Sequence, residues 1–187
     1  MTFACATRAE LRVARRAGAR AALVGLGATR GIPEGPLVSF GLAGALRDDL
    51  PAGTVLDATR VVGIDGTVLW NGEGMEVQGA RPATILAAES IVDDADERRR
   101  LHERTGADAV DLESGPLARS GRLRGVIRAV SDTPSRPLNG LADGVTADGG
   151  YNWPGLVRAF ARSPRGFVRS AADVRHALGQ LARSWAA

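Results

Sequence analysis

The chain has 187 residues, 44% of them hydrophobic and 24% charged, which is ordinary usage for one globular domain and excludes disordered, collagen-like and low-complexity proteins. Its formal net charge of +3 comes from 24 basic residues, all of them arginine, against 21 acids interspersed with them, so neither a nucleic-acid-binding tail nor an acidic one is present. No apolar run is long enough to span a membrane and the first ten residues lack a signal-peptide pattern, so the expectation is a cytoplasmic protein. One cysteine, Cys5, and two histidines, His102 and His176, leave no material for a disulfide and little for a zinc site, and no metal is expected.

In chain order, residues 2–6 (TFACA) read as a buried strand, 10–17 as a basic, partly apolar helix and 21–25 as a second strand. The stretch GLGATRGIPEGP holds four glycines and two prolines and reads as a loop. Residues 37–40 (LVSF) form a third buried strand that runs into the loop GLAGAL. Residues 54–58 and 60–64 read as two strands, and Asp65-Gly66 before TVLW signals a hairpin. A short strand at 84–87 precedes DDADERRRLHERTG, a helix with acids in its first turn, bases later and Gly106 as its stop; Arg98-Arg99-Arg100 is taken as a solvated face. Residues 109–111 form a strand, GPLARS a short helix and 125–130 a last strand. The tail from Trp153 is helical, with Ser170 and Asp173 read as a capping box opening a helix toward Trp185. Near-continuous apolar strands alternating with short helices predict a single domain over 1–187: an α/β fold, three-layer α/β/α, with a central mixed twisted sheet.

Ligands of such sheets bind beyond the carboxyl ends of the strands. That rule selects residues 7–10, 41–44 and 131–132, with Glu113 after a fourth strand, so Glu10, Glu113 and Asp132 are expected to converge on one end of the sheet. Read alone, Asp132 is a turn residue, Glu113 a cap for the next short helix and Glu10 a solvated first-turn acid. Arg128, if it faces inward, needs Glu113 or Asp111 as partner; the alternative is a place on a subunit interface. Cys5 reads as a small core residue, and His102 and His176 as surface positions.

Three segments in order carry a family resemblance: SFGLAGALRDDLPAGTVL, TGADAVDLESGPLAR and RAVSD. They resemble the glycine-rich strand-loop, the ribose-binding segment and the base-binding strand of the nucleoside phosphorylase/nucleosidase superfamily (purine and uridine phosphorylase type), and most closely its hopanoid-associated phosphorylase/nucleosidase branch. The likeness covers most of residues 2–26 and 37–137 and implies a phosphorylase/hydrolase-like fold. It also implies roles. Asp132 matches the acid that protonates N7 of a leaving purine, Glu113 the carboxylate that binds the ribose hydroxyls, and Glu10 the glutamate that holds the attacking water. Gly41, Leu42 and Ala43 would line the sugar, Leu112 would pack on the ribose, and Ser131 would orient the base. Leu42 and Ser39 stand where relatives keep phosphate-contacting side chains, which favours water as nucleophile; Arg8 and Arg30 are the candidates for a phosphate clamp. The segment GATRGIPEGP is shorter than the pocket-wall helix of relatives.

The resemblance implies an N-glycosidic bond hydrolase or pentosyltransferase: a nucleosidase releasing adenine from an adenosyl compound, with adenosylhopane as one candidate. The alternatives are a phosphate-dependent phosphorylase and a catalytically impaired nucleoside-binding paralogue. No cofactor is expected, beyond phosphate as co-substrate of a phosphorylase. The expected partner is a purine nucleoside-type small molecule and not nucleic acid, with weak association at a membrane surface and a homo-oligomer, a dimer by preference. Leu42, Trp70, Trp153 and Phe160 are candidates for an apolar path to a lipid-like tail, with core packing as the alternative.

Overall fold

The structure is a computed structural model and describes residues 1–185. Strand β1 (Thr2–Cys5), helix α1 (Arg8–Arg16) and strand β2 (Ala21–Leu23) lead into a 3-10 turn at Leu26–Ala28. Then come β3 (Leu37–Ala45), β4 (Val55–Val62), β5 (Val68–Asn71), β6 (Arg81–Ala87), α2 (Ala95–Thr105), β7 (Ala109–Asp111), α3 (Ser114–Arg119) and β8 (Leu123–Asp132). A second 3-10 turn at Leu141–Gly144 precedes α4 (Trp153–Arg162) and α5 (Pro164–Trp185).

The predicted mixed sheet covered by helices is present, in the order β2-β1-β3-β7-β6-β4-β5. The sequence does not announce its closure. β8 pairs with β3 in parallel and β4 in antiparallel, while the last residues of β3, Gly44 and Ala45, pair with β7. Strands β3, β8, β4, β6 and β7 therefore form a ring rather than an open sheet.

Period-2 alternation assigns the faces of the two long central strands. Leu37 and Ala43 of β3 and Val126 and Val130 of β8 join one core cluster. Val38 and Phe40 of β3 with Ile127 and Ala129 of β8 join a second, covered by Ala14 of α1 and by Ala177 and Leu181 of α5. Cys5 is buried in that second cluster as the small apolar residue expected, and burial pushes its thiol pKa up.

Several boundaries move. GLAGAL is strand, not loop, because β8 pairs with β3 from Leu37 to Gly44 and carries the strand past Phe40. For the same reason Ser131 and Asp132 end a strand instead of opening a loop. The two strands expected at 54–58 and 60–64 are one strand, β4 (Val55–Val62), with a register shift between Ala58 and Arg60. The Ser170/Asp173 box does not open a helix. α5 already starts at Pro164, a favoured first-turn proline; Ser170 Oγ instead donates to Pro137 O at 3.0 Å and Asp173 pairs with Arg136 at 2.8 Å. The charged helix is α2 as predicted, capped by Asp94 and ended by Gly106 at φ 69°. His176 is exposed, whereas His102 is half-buried with Nδ1 2.8 Å from Ala107 O.

Candidate active site

Glu10 is buried because it closes a capping box. Its Oε2 accepts from Thr7 N at 2.7 Å and Thr7 Oγ1 at 2.9 Å, while Thr7 Oγ1 accepts from Glu10 N at 3.3 Å. Oε1 is left to reach across to β3, where it accepts from Leu42 N at 2.8 Å. The first-turn acid is therefore not solvated; it ties α1 to the middle of β3.

Glu113 lies where β7 gives way to α3, but it makes no cap bond to that helix. Asp111 does so instead, accepting from Ser114 N at 3.0 Å and from Ser114 Oγ. Glu113 Oε1 accepts from Gly27 N at 3.0 Å, and Gly27 adopts φ 58°, a conformation that glycine reaches without strain.

Arg128 faces inward and takes both candidate partners. Its Nε donates to Asp111 Oδ2 at 2.7 Å, and Nη2 reaches Ser39 Oγ at 2.6 Å and Glu113 Oε2 at 3.4 Å. The Ser39 hydroxyl thus serves Arg128. Nη1 is buried without a protein partner among the described residues. A Cβ on Gly41 would lie 2.7 Å from Nη1 and closer still to Glu10 Oε1, so glycine at 41 is what allows the two side chains to approach this part of β3. Burial, with Asp111 and Glu10 nearby, outweighs the Arg128 charge and pushes the Glu113 carboxyl up to about 8.

Asp132 ends β8. Its Oδ1 accepts from Ser131 Oγ at 2.5 Å and its Oδ2 from Arg98 Nη2 at 2.5 Å. Arg98, expected on a solvated face, is 2% exposed; its Nε also donates to Val92 O at 2.8 Å. The sequence does carry a signal for this: Arg98 precedes Leu101 by three residues, and these two are the buried positions of α2. Burial pushes the Asp132 carboxyl above its ordinary range, against the pull of Arg98 and the Ser131 hydroxyl.

Glu10, Glu113 and Asp132 all line one cavity of about 410 Å³, with Leu42, Ala43, Leu112 and Ser131 beside them. Gly41, expected to line the sugar, is not among the lining residues. Much of the remaining wall is apolar and comes from Leu138, from Leu141 of the 3-10 turn at Leu141–Gly144, from Leu156 of α4 and from Val174 and Leu178 of α5. Arg8 and Arg30, the expected phosphate clamp, do not line it: both are exposed, and Arg30 reaches Asp148 at 3.4 Å. Of the expected apolar path only Leu42 lines the cavity. Trp70 packs on the core with Nε1 donating to Leu123 O at 3.1 Å, and Trp153 and Phe160 point to solvent.

The Glu113 shift has a consequence for stability. The folded state keeps a proton up to about pH 8 that an unfolded glutamate, with its ordinary pKa of about 4.3, has already released. The group's contribution is therefore full below the unfolded value and is lost as pH rises toward 8. The wild type is expected to show a lower urea midpoint at pH 8.5 than at pH 5.5, and Glu113→Gln to narrow that difference; an unchanged difference would contradict the assignment.

Comparison with known proteins adds the fold. No protein-family model matches the sequence, and no curated protein matches it. Solved structures do. The 5′-methylthioadenosine/S-adenosylhomocysteine nucleosidase of Neisseria meningitidis, in complex with methylthio-immucillin-A, is 17% identical with a TM-score of 0.58, over 96% of this chain and 97% of that one. The same type of nucleosidase from Colwellia psychrerythraea, in complex with adenine, is 14% identical with a TM-score of 0.59, over 96% and 94%. Futalosine hydrolase of Helicobacter pylori is 13% identical with a TM-score of 0.59, over 98% and 95%. At these identities the likeness is one of fold: the chain shares the fold of these nucleosidases and of futalosine hydrolase.

Proposed function

We propose that the protein hydrolyses the N-glycosidic bond of a purine nucleoside, releasing adenine from an adenosyl compound. The observation that carries this reading is the convergence of Glu10, Glu113 and Asp132, from three separate segments, on one cavity. Asp132 gives a proton to the departing ring, which as an anion is a poor leaving group. Glu113 holds the ribose hydroxyls, and its ionised form, whose share grows as pH rises toward about 8, stabilises the oxocarbenium charge more than the ground state. Glu10, which lines the cavity, holds the attacking water. Ser131 orients Asp132, Leu112 packs on the sugar, and the chain needs no cofactor for these steps.

Water is favoured over phosphate because Arg8 and Arg30 lie outside the cavity and Ser39 is engaged by Arg128. The apolar wall supports an apolar substituent on the 5′ carbon, adenosylhopane among the candidates. Adenine release from 5′-substituted adenosines in phosphate-free buffer is the test. Turnover that requires added phosphate would replace hydrolysis by phosphorolysis.

The ion pair between Asp132 and Arg98 favours one other reading, a nucleoside-binding protein without turnover, since the guanidinium opposes protonation of the acid. In the hydrolase, Arg98 sets how firmly Asp132 keeps its proton. Arg98→Gln is expected to move the alkaline limb of the kcat/KM profile to higher pH, because Asp132 loses its counter-charge while remaining buried. A limb that does not move would show that Asp132 is not the titrating acid.

A further inference from the structure

We propose that the outward face of α4 and of the first half of α5 docks on the surface of an anionic lipid bilayer. The inference goes beyond the hydrolase reading and stands or falls separately from it.

Trp153, Val157 and Phe160 follow one another at helical spacing on α4 and are 70%, 67% and 48% exposed. The edge-on contact of Phe160 with Phe167, centroids 5.7 Å apart, carries this stripe onto α5, where Val168 is 60% exposed. A shallow surface groove joins Phe160 and Val168 with Arg165 and Arg169. A contiguous apolar strip of this kind on a surface marks an interaction site.

The charges around it name the occupant. From residue 149 to 172 the chain has no acid and four arginines, Arg158, Arg162, Arg165 and Arg169, all exposed. Arg162 has one distant carboxylate, Asp143 at 3.8 Å; the other three have none among the described residues. A basic face with a central aromatic and aliphatic stripe suits the headgroup boundary of an anionic leaflet. A second copy of the chain related by a two-fold axis would set these arginines against their own counterparts. Nucleic acid would satisfy the charge but would find no stacking plane in Val157 and Val168. No helix among the described residues is long and apolar enough to cross a membrane, so the contact is interfacial. The other side of the same helices supplies Leu156, Val174 and Leu178 to the cavity wall, which places that wall one helix away from the docked lipid.

The test is sedimentation of the full chain with vesicles of phosphatidylcholine, with and without a minority of phosphatidylglycerol. Binding to the mixed vesicles, release by high salt and a blue shift of tryptophan emission that Trp153→Phe removes are the expected results. Each Arg→Gln change at 158, 165 or 169 should lower partitioning about fivefold while leaving adenine release from a water-soluble nucleoside unchanged. Equal binding to both vesicle types, no binding to either, retention on DNA without vesicle binding, or self-association through this face in the absence of lipid would each overturn the proposal. Absence of adenine release by the unaltered chain, with vesicle binding as expected, would count against the hydrolase reading alone, and Arg→Gln variants that bind the mixed vesicles as well as the unaltered chain would overturn the docking proposal.

Discussion

Asp132→Asn is expected to slow adenine release by about 10²–10⁴-fold, the usual contribution of a positioned general acid. Asparagine keeps the size of the side chain and its bond to the Ser131 hydroxyl, but it has no proton to give to the departing ring. The deficit should depend on the leaving group. A riboside of 4-nitrophenol, whose anion is stable without protonation, should lose far less than an adenosyl substrate on the same change. An equal loss on both would mean that Asp132 only holds the site together, and an unchanged rate on adenosyl substrates would remove it from the mechanism. Because the uncharged amide no longer neutralises the buried Arg98 guanidinium, the folded state of this variant should be checked by circular dichroism at the assay temperature.

The largest expected effect on stability is at Arg128, which is fully buried and serves Asp111, Glu113 and Ser39 together. Arg128→Met fills much of the same volume but leaves the buried Asp111 carboxylate without its counter-charge, while Glu113, which keeps its proton up to about pH 8, loses a hydrogen-bond donor. Breaking a buried pair from one side costs about 3–5 kcal/mol, a large part of the roughly 5–15 kcal/mol that typically separates folded from unfolded chains. Urea unfolding at pH 7 measures it. Adding Asp111→Asn to Arg128→Met should restore part of the loss, because the second change removes the stranded charge, and the shortfall from additivity reads the coupling of the pair. A loss below about 1 kcal/mol in the single variant would show that the network is relaxed by water or rearrangement.

The site is more legible in the sequence than the sheet that carries it. Glu113 and Asp132 are legible as strand-end acids, whereas Glu10, in the first turn of α1, reaches the same cavity through its capping box with Thr7 and the Leu42 N–H. Their secondary roles are not legible. Whether Asp111 or Glu113 caps α3 depends on which side chain the Gly27 N–H captures, a partner 86 residues away. Arg98 looks like the start of a basic run when charge is weighed before its spacing to Leu101. Ring closure rests on a two-residue antiparallel contact between β3 and β7, far too short to leave a periodic pattern. The same non-local pairing hides the length of β3, since glycines read as a loop until a neighbouring strand such as β8 is known to run beside them. The clamp expected from Arg8 and Arg30 fails for a simpler reason: proximity in sequence to a pocket loop does not turn a side chain inward.

A crystal structure with a non-hydrolysable 5′-substituted adenosine analogue bound tests the central claim most directly. The account predicts the purine N7 within hydrogen-bond distance of Asp132, the ribose hydroxyls on Glu113, and a water between Glu10 and the anomeric carbon. An analogue that binds away from these three carboxylates, or that cannot enter the cavity while Arg98 holds Asp132, would contradict it.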